Sequence, residues 1–126
     1  MDSITVLIAD DHAPFRAAVR DQLAQAPGIR VVGEAKDGDE AVAQARALAP
    51  SVVLIDVHMP NLGGIPATRE IAGSMPNVRV IALSQYDEPA IVEAMRAAGA
   101  ADYVLKDELY EKLVPAIRAA VTGRRG

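Results

Sequence analysis

Four polar signals each follow directly on an apolar, β-branched run. Asp10 and Asp11 follow Ile4 to Ala9, Asp56 follows Val52 to Ile55, Ser84 follows Val78 to Leu83, and Lys106 follows Tyr103 to Leu105. An acid placed straight after Val-Val-Leu-Ile is costly to bury unless it is paired, so Asp56 calls for a partner. Three carboxylates within a few ångströms of one another repel, and at neutral pH they must raise a pKa or take up a cation. A hard divalent ion fits that need. Mg2+ accepts one or two carboxylates together with a carbonyl, waters and a phosphoryl oxygen, and Mn2+ is expected to substitute. A carboxylate beside such an ion and an ammonium can also attack phosphorus, giving an acyl phosphate whose oxygens the two cations neutralise. Phosphoryl capture on aspartate is the chemistry that this set of residues supports.

These residues converge only if the apolar runs lie side by side. A fifth run, Ile29 to Val32, completes a series of five that alternate with segments of helical spacing. The runs are continuous rather than alternating, as expected of parallel strands buried on both faces. Helix starts are read at Pro14, at Gly38 after Asp37, at Pro66 after a glycine pair, and at Pro89; stops fall at Pro27-Gly28, Pro50, Pro76 and Gly99. The apolar stripes run through Phe15, Val19 and Leu23; Val42, Ala45 and Leu48; Ile65, Thr68, Ile71 and Met75; Ile91, Met95 and Ala98; and Leu109, Leu113, Ala116, Ile117 and Ala120. Pro115 interrupts the last stripe, which predicts a kink or a late helix start.

Right-handed crossovers favour a flavodoxin-like (βα)5 fold, a doubly wound five-stranded parallel sheet of order 2-1-3-4-5. The second and fifth runs are the shortest and suit the edges. Ligands bind such sheets outside the carboxyl ends of the strands, at the reversal between strands 1 and 3, where Asp10, Asp11 and Asp56 meet. With strands about 4.8 Å apart, Ser84 lies one strand away and Lys106 two, within reach of an extended side chain.

Composition narrows the remaining choices. The 126 residues suffice for one domain, read as 1–122, with 123–126 as the start of a linker or a disordered tail. Four aromatic residues and 24 alanines imply an aliphatic core with closely packed helices. A net charge of −4 argues against sequence-independent binding to nucleic acid or to an anionic membrane. The absence of cysteine excludes disulfides, thiolate zinc and a cysteine nucleophile, and two histidines exclude a histidine-rich metal site. The chain opens without signal-peptide features and has no apolar run near the roughly 18 residues of a membrane span, so a cytoplasmic protein is expected.

Several segments together resemble a receiver domain of a two-component response regulator over essentially the whole chain. They are Ile8-Ala9-Asp10-Asp11-His12, Leu54-Ile55-Asp56-Val57-His58-Met59-Pro60 with Gly64, Ala82-Leu83-Ser84, and Ala98 through Lys106. The Asp-Asp-His opening and the Leu-Lys-Asp close resemble the NarL/FixJ-type branch, whose members usually carry a C-terminal helix-turn-helix. The resemblance implies that Asp56 accepts a phosphoryl group from a sensor histidine kinase. It implies that Asp11, Asp56 and the His58 carbonyl ligate Mg2+, with Asp10 acting through water, and that Lys106 and Ser84 bind the phosphoryl oxygens. Tyr103 would turn inward as Ser84 moves, reshaping the surface of helix 4, strand 5 and helix 5 for an attached output domain, a downstream protein or a phosphorylation-dependent homodimer. DNA binding would belong to the output domain. His58 and Tyr86 stand where the family tunes attack of water on the acyl phosphate, and two bulky rings there are expected to slow it.

Plainer readings stand beside these. Asp10 or Asp11 would serve as a helix cap, Asp56 as a turn residue, Ser84 as a loop hydroxyl, Lys106 as a surface lysine and Tyr103 as part of the core. Serine stands at 84 where threonine is common. Asp107 follows Lys106 where many receivers have proline, which makes a cis bond there less secure. A Mg2+-dependent phosphohydrolase using an aspartyl phosphate is the enzyme alternative, but it calls for an Asp-x-Asp loop and a cap insertion, and this chain has Asp-Asp-His and short loops. A stand-alone receiver acting by protein contact is the other. No enzyme activity beyond self-phosphorylation and autodephosphorylation is expected.

Overall fold

A computed structural model describes residues 3–122. The elements run β1 (Ile4–Ala9), α1 (Ala13–Ala24), β2 (Ile29–Ala35), α2 (Gly38–Leu48), β3 (Val52–Asp56), α3 (Gly64–Ser74), β4 (Arg79–Ser84), α4 (Pro89–Ala98), β5 (Asp102–Leu105), a 3-10 turn (Lys106–Glu108) and α5 (Leu109–Thr122). All strand pairs are parallel and the order is β2-β1-β3-β4-β5, the flavodoxin-like order expected from the sequence. The tail assigned to 123–126 lies outside the described residues.

Alternate residues of the central strands feed two separate cores. Leu7, Ala9, Val53 and Ile55 pack with Ala41, Ala45, Ala67, Ile71 and Met95 from α2, α3 and α4. Val6, Ile8, Leu54, Ile81 and Leu83 pack with Val19, Leu23, Leu113 and Ile117 from α1 and α5. Each fully buried Leu or Ile contributes about 1.5–3 kcal/mol, so the two-sided sheet is the dominant source of stability. The alanines concentrate where three helices share one face, which lets their backbones approach the sheet. Register between β1 and β3 is set at the amino ends. There Thr5 N–H donates to Ser51 Oγ at 3.1 Å and Ser51 N–H donates to Thr5 Oγ1 at 2.9 Å.

Three local expectations need correction. β2 has seven residues and is not one of the shortest strands, because Gly33, Glu34 and Ala35 extend it past the apolar run. A bulge between its pairings to Val6 and Leu7 absorbs Val32. Gly33 gives room there to side chains of α2, since an added Cβ would lie 2.7 Å from Gln44 Oε1 and 2.9 Å from Leu48 Cδ1, the ends of two flexible side chains. α5 does not start late: it begins at Leu109 and runs through Pro115. Pro115 is exposed, so water can satisfy the Glu111 carbonyl that loses its partner. Leu48, assigned to the inner stripe of α2, is 44% exposed at the end of that helix, and Ala41 takes the buried place. The Lys106–Asp107 bond is trans, since no cis peptide occurs among the described residues.

Candidate functional site

β1 and β3 end side by side, Ala9 being paired with Ile55, so the next residues on each strand are neighbours. Carboxylate oxygens of Asp10, Asp11 and Asp56 lie within 4.8 Å of one another. Asp10 is fully buried and Asp56 is 6% exposed, while Asp11 faces solvent. Together with His12, His58, Gln85 and Lys106 they line a cleft of about 290 Å3.

Asp10 is fixed at both oxygens. The His12 N–H donates to Oδ1 at 2.8 Å and the Lys106 ammonium donates to Oδ2 at 2.7 Å. Asp10 and Asp11 therefore precede α1 without capping it; His12 occupies the cap position and makes no side-chain cap bond. The carbonyl of Asp10 accepts from Arg16 Nη1 at 2.6 Å, and Arg16 Nε donates to Glu34 Oε1 at 2.9 Å. Lys106 Nζ also stands 3.7 Å from Asp56 Oδ1 and 4.1 Å from the centre of the Phe15 ring. Phe15 is thus part of the lysine's seat as well as of the α1 stripe. Its only sequence signal is an aromatic four residues after Asp11, which the stripe already explained. The Arg16 and Glu34 roles left no signal, because they depend on α1 lying along β2.

Burial pushes the Asp56 carboxyl up, and the charges of Asp10 and, to a lesser degree, Asp11 push it further. Lys106 and the His58 N–H, 3.3 Å from Oδ1, oppose the rise, and the result is a pKa of about 6 against an ordinary 3.8. The residue that the sequence marked as needing a partner is the one whose charge is least comfortable. Such a group gains most from a bound cation.

Ser84 is fully buried beside the cleft rather than on its wall. Its Oγ accepts from the Tyr86 N–H at 3.1 Å, and the Tyr103 hydroxyl donates to the Tyr86 carbonyl at 3.0 Å. The two residues named as a switch pair therefore hold Tyr86 by its N–H and its carbonyl. The Tyr86 ring meets the His58 ring edge to face, with centroids 6.3 Å apart. His58 and Tyr86 are both exposed, and His58 lines the cleft with the carboxylates.

Fold and site define a flavodoxin-like α/β domain with an acidic, lysine-bearing cleft at its switch point. Comparison with known proteins agrees: the response regulator receiver domain matches residues 6–118. UvrY, a response regulator of Escherichia coli strain K12, is 43% identical over 122 residues, which are 97% of this chain and 56% of UvrY. The chain thus spans a little over half the length of that relative. The NarL signal receiver domain from Mycobacterium tuberculosis superposes with a TM-score of 0.93 at 35% identity, covering 98% of this chain and all of that one. The isolated receiver domain of RcsB from Salmonella enterica serovar Typhimurium, solved with the phosphomimetic BeF3−, gives 0.89 at 28% identity, covering 99% and 93%. The chain belongs to the response regulator receiver domain family, and its relatives are of the NarL/FixJ type. Among the described residues no helix is long and apolar enough to cross a membrane.

Proposed function

We propose that this domain accepts a phosphoryl group on Asp56 with the help of a divalent cation, and transmits that event to an output domain or partner protein. The observation that carries the proposal is the cluster itself: three carboxylates within 4.8 Å, one with its pKa raised to about 6, and a single ammonium among them. Three acids against one lysine leave net negative charge, which suits a hard divalent ion held by Asp11, Asp56 and the His58 carbonyl, with Asp10 acting through water. When bound, Mg2+ supplies charge neutralisation for the phosphoryl oxygens.

The chain's own groups account for the rest. Asp56 Oδ1 takes the His58 N–H and faces Lys106, so Oδ2 is the oxygen left to attack phosphorus. The O–P bond forms as the N–P bond to the donor imidazole breaks, and the electron pair leaves with the imidazole. Lys106, already within 3.7 Å of Asp56, needs only a small shift to pair with the new phosphoryl oxygens. Ser84 would release the Tyr86 N–H to donate its own proton to a phosphoryl oxygen. Tyr103 would then lose its outer partner and turn inward, altering the surface of α4, β5 and α5.

A sensor histidine kinase as donor and a helix-turn-helix output are proposed from the relatives. RcsB captured with a phosphomimetic supports the phosphoryl reading, and UvrY supports regulation through a longer protein. The cytoplasm is the compartment such a partner set requires. Incubation with phosphoramidate and Mg2+ should load the protein to at most one phosphoryl group per chain, with no multiple turnover of p-nitrophenyl phosphate. Sustained turnover would favour a phosphohydrolase and overturn the proposal.

A further inference from the structure

The loop between β3 and α3 carries His58, and contacts at both of its ends fix it. At the stem, the Gly64 N–H donates to the Val57 carbonyl at 3.0 Å. Gly64 is packed so closely that an added Cβ would lie 2.3 Å from the Asp56 carbonyl oxygen. At the far end, Asn61 adopts the left-handed region with φ +62°, and its Nδ2 donates to Asp37 Oδ2 at 3.0 Å. Asp37 belongs to a different part of the fold: it caps α2, its Oδ1 accepting the Glu40 N–H at 2.8 Å. Beside it, Gly38 lies flush on the loop, since a Cβ there would be 1.9 Å from the Leu62 carbonyl oxygen.

A helix cap needs only one carboxylate oxygen. Asp37 uses one for α2 and gives the other to the loop. Bonds from the Glu40 N–H and the Asn61 amide hold its carboxyl below the usual carboxylate range, with a smaller contribution from Lys36. Asn61 is itself exposed, so its amide would find water if the loop were free to move.

We infer that Asp37 and Asn61 are positioning residues for cation binding: the capped end of α2 holds the tip of the β3–α3 loop, and so holds His58 against the Asp10, Asp11 and Asp56 cluster. This rests on the cation reading given above. Neither residue touches the cleft. They act through the loop, as supporting groups act on metal ligands.

Mg2+ titration of the unphosphorylated chain by calorimetry tests it, together with amide exchange of residues 58–63 without metal. Asn61→Asp keeps a side chain that tolerates positive φ, removes the donor and sets two carboxylates face to face. The double exchange Asp37→Asn with Asn61→Asp restores a hydrogen bond in the opposite direction at unchanged net charge, and the new amide carbonyl can still cap Glu40. Asn61→Asp should weaken Mg2+ binding by roughly tenfold and speed exchange in the loop, and the double exchange should recover both. Parent-like affinity in Asn61→Asp, or no recovery of affinity in the double exchange, overturns the inference while Asp11→Asn still loses Mg2+. An Asp11→Asn variant that binds Mg2+ like the parent overturns the cation reading beneath it instead.

Discussion

Lys106 is hydrogen-bonded to Asp10 and only ion-paired with Asp56: its ammonium lies 2.7 Å from Asp10 Oδ2 and 3.7 Å from Asp56 Oδ1. The resting lysine therefore neutralises the most deeply buried acid of the cluster and leaves Asp56 only partly compensated. Lys106→Met would strand Asp10, which is wholly buried, and should destabilise the metal-free domain by about 3 kcal/mol or more. Urea denaturation with and without Mg2+ checks this, with the deficit expected to shrink when the ion is present.

Asp56 makes the opposite contribution to stability. Its pKa is about 6 in the folded chain against 3.8 as an ordinary aspartate. Between those values the folded state holds the proton more tightly than the unfolded one, so this residue's contribution is greatest below about pH 4 and declines as pH rises through about 6. Asp56→Asn should thus stabilise the metal-free domain at pH 7.5. The gain should be about 1–2 kcal/mol, less than the full difference in pKa implies, because the carboxyl borders an open cleft where solvent screens its charge. Melting curves from pH 4 to pH 8 should show the advantage vanish at the acid end.

The same titration predicts how Mg2+ binding varies with pH. A cation needs the ionised carboxylate, so affinity should be level above about pH 7 and fall as pH drops through the Asp56 pKa of about 6. One proton is displaced, so the slope below that point should approach tenfold per pH unit. Calorimetric titrations at several pH values measure it.

The His58 and Tyr86 rings meet edge to face, and His58 lines the cleft that holds the carboxylates. On an acyl phosphate at Asp56, two such rings are expected to slow the approach of water, and His58→Asn with Tyr86→Ala should shorten its half-life severalfold. Decay followed by intact mass after removal of the phosphodonor measures this. Equal half-lives would assign the lifetime to other residues.

How much of this could be read in the sequence depended on the range of the interactions involved. Asp10, Asp56, Ser84 and Lys106 were legible because each sits at the end of an apolar run, and parallel pairing then puts run ends on one edge. The cap at Asp37 and the left-handed stop at Gly99 were legible for a similar reason, since both act within a few residues. The extension of β2 was hidden because Gly33 and Glu34 break its apolar pattern, and only the close approach of α2 explains the glycine. The contacts of Phe15, Arg16 and Asn61 were hidden because their partners, Lys106, Asp10 and Asp37, lie in other parts of the fold. Pro115 left two readings open, a kink or a late start of α5, because propensity does not say which way a residue faces; its side faces water and the helix runs through it.

The central claim is that Asp56 is the phosphoacceptor of this cluster. Intact-mass measurement after incubation with phosphoramidate and Mg2+ tests it most directly, comparing the parent chain with Asp56→Asn. The parent should gain one phosphoryl group with Mg2+ and none when Mg2+ is chelated before the donor is added, and the variant should gain none. Equal labelling of the Asp56→Asn chain would contradict the account.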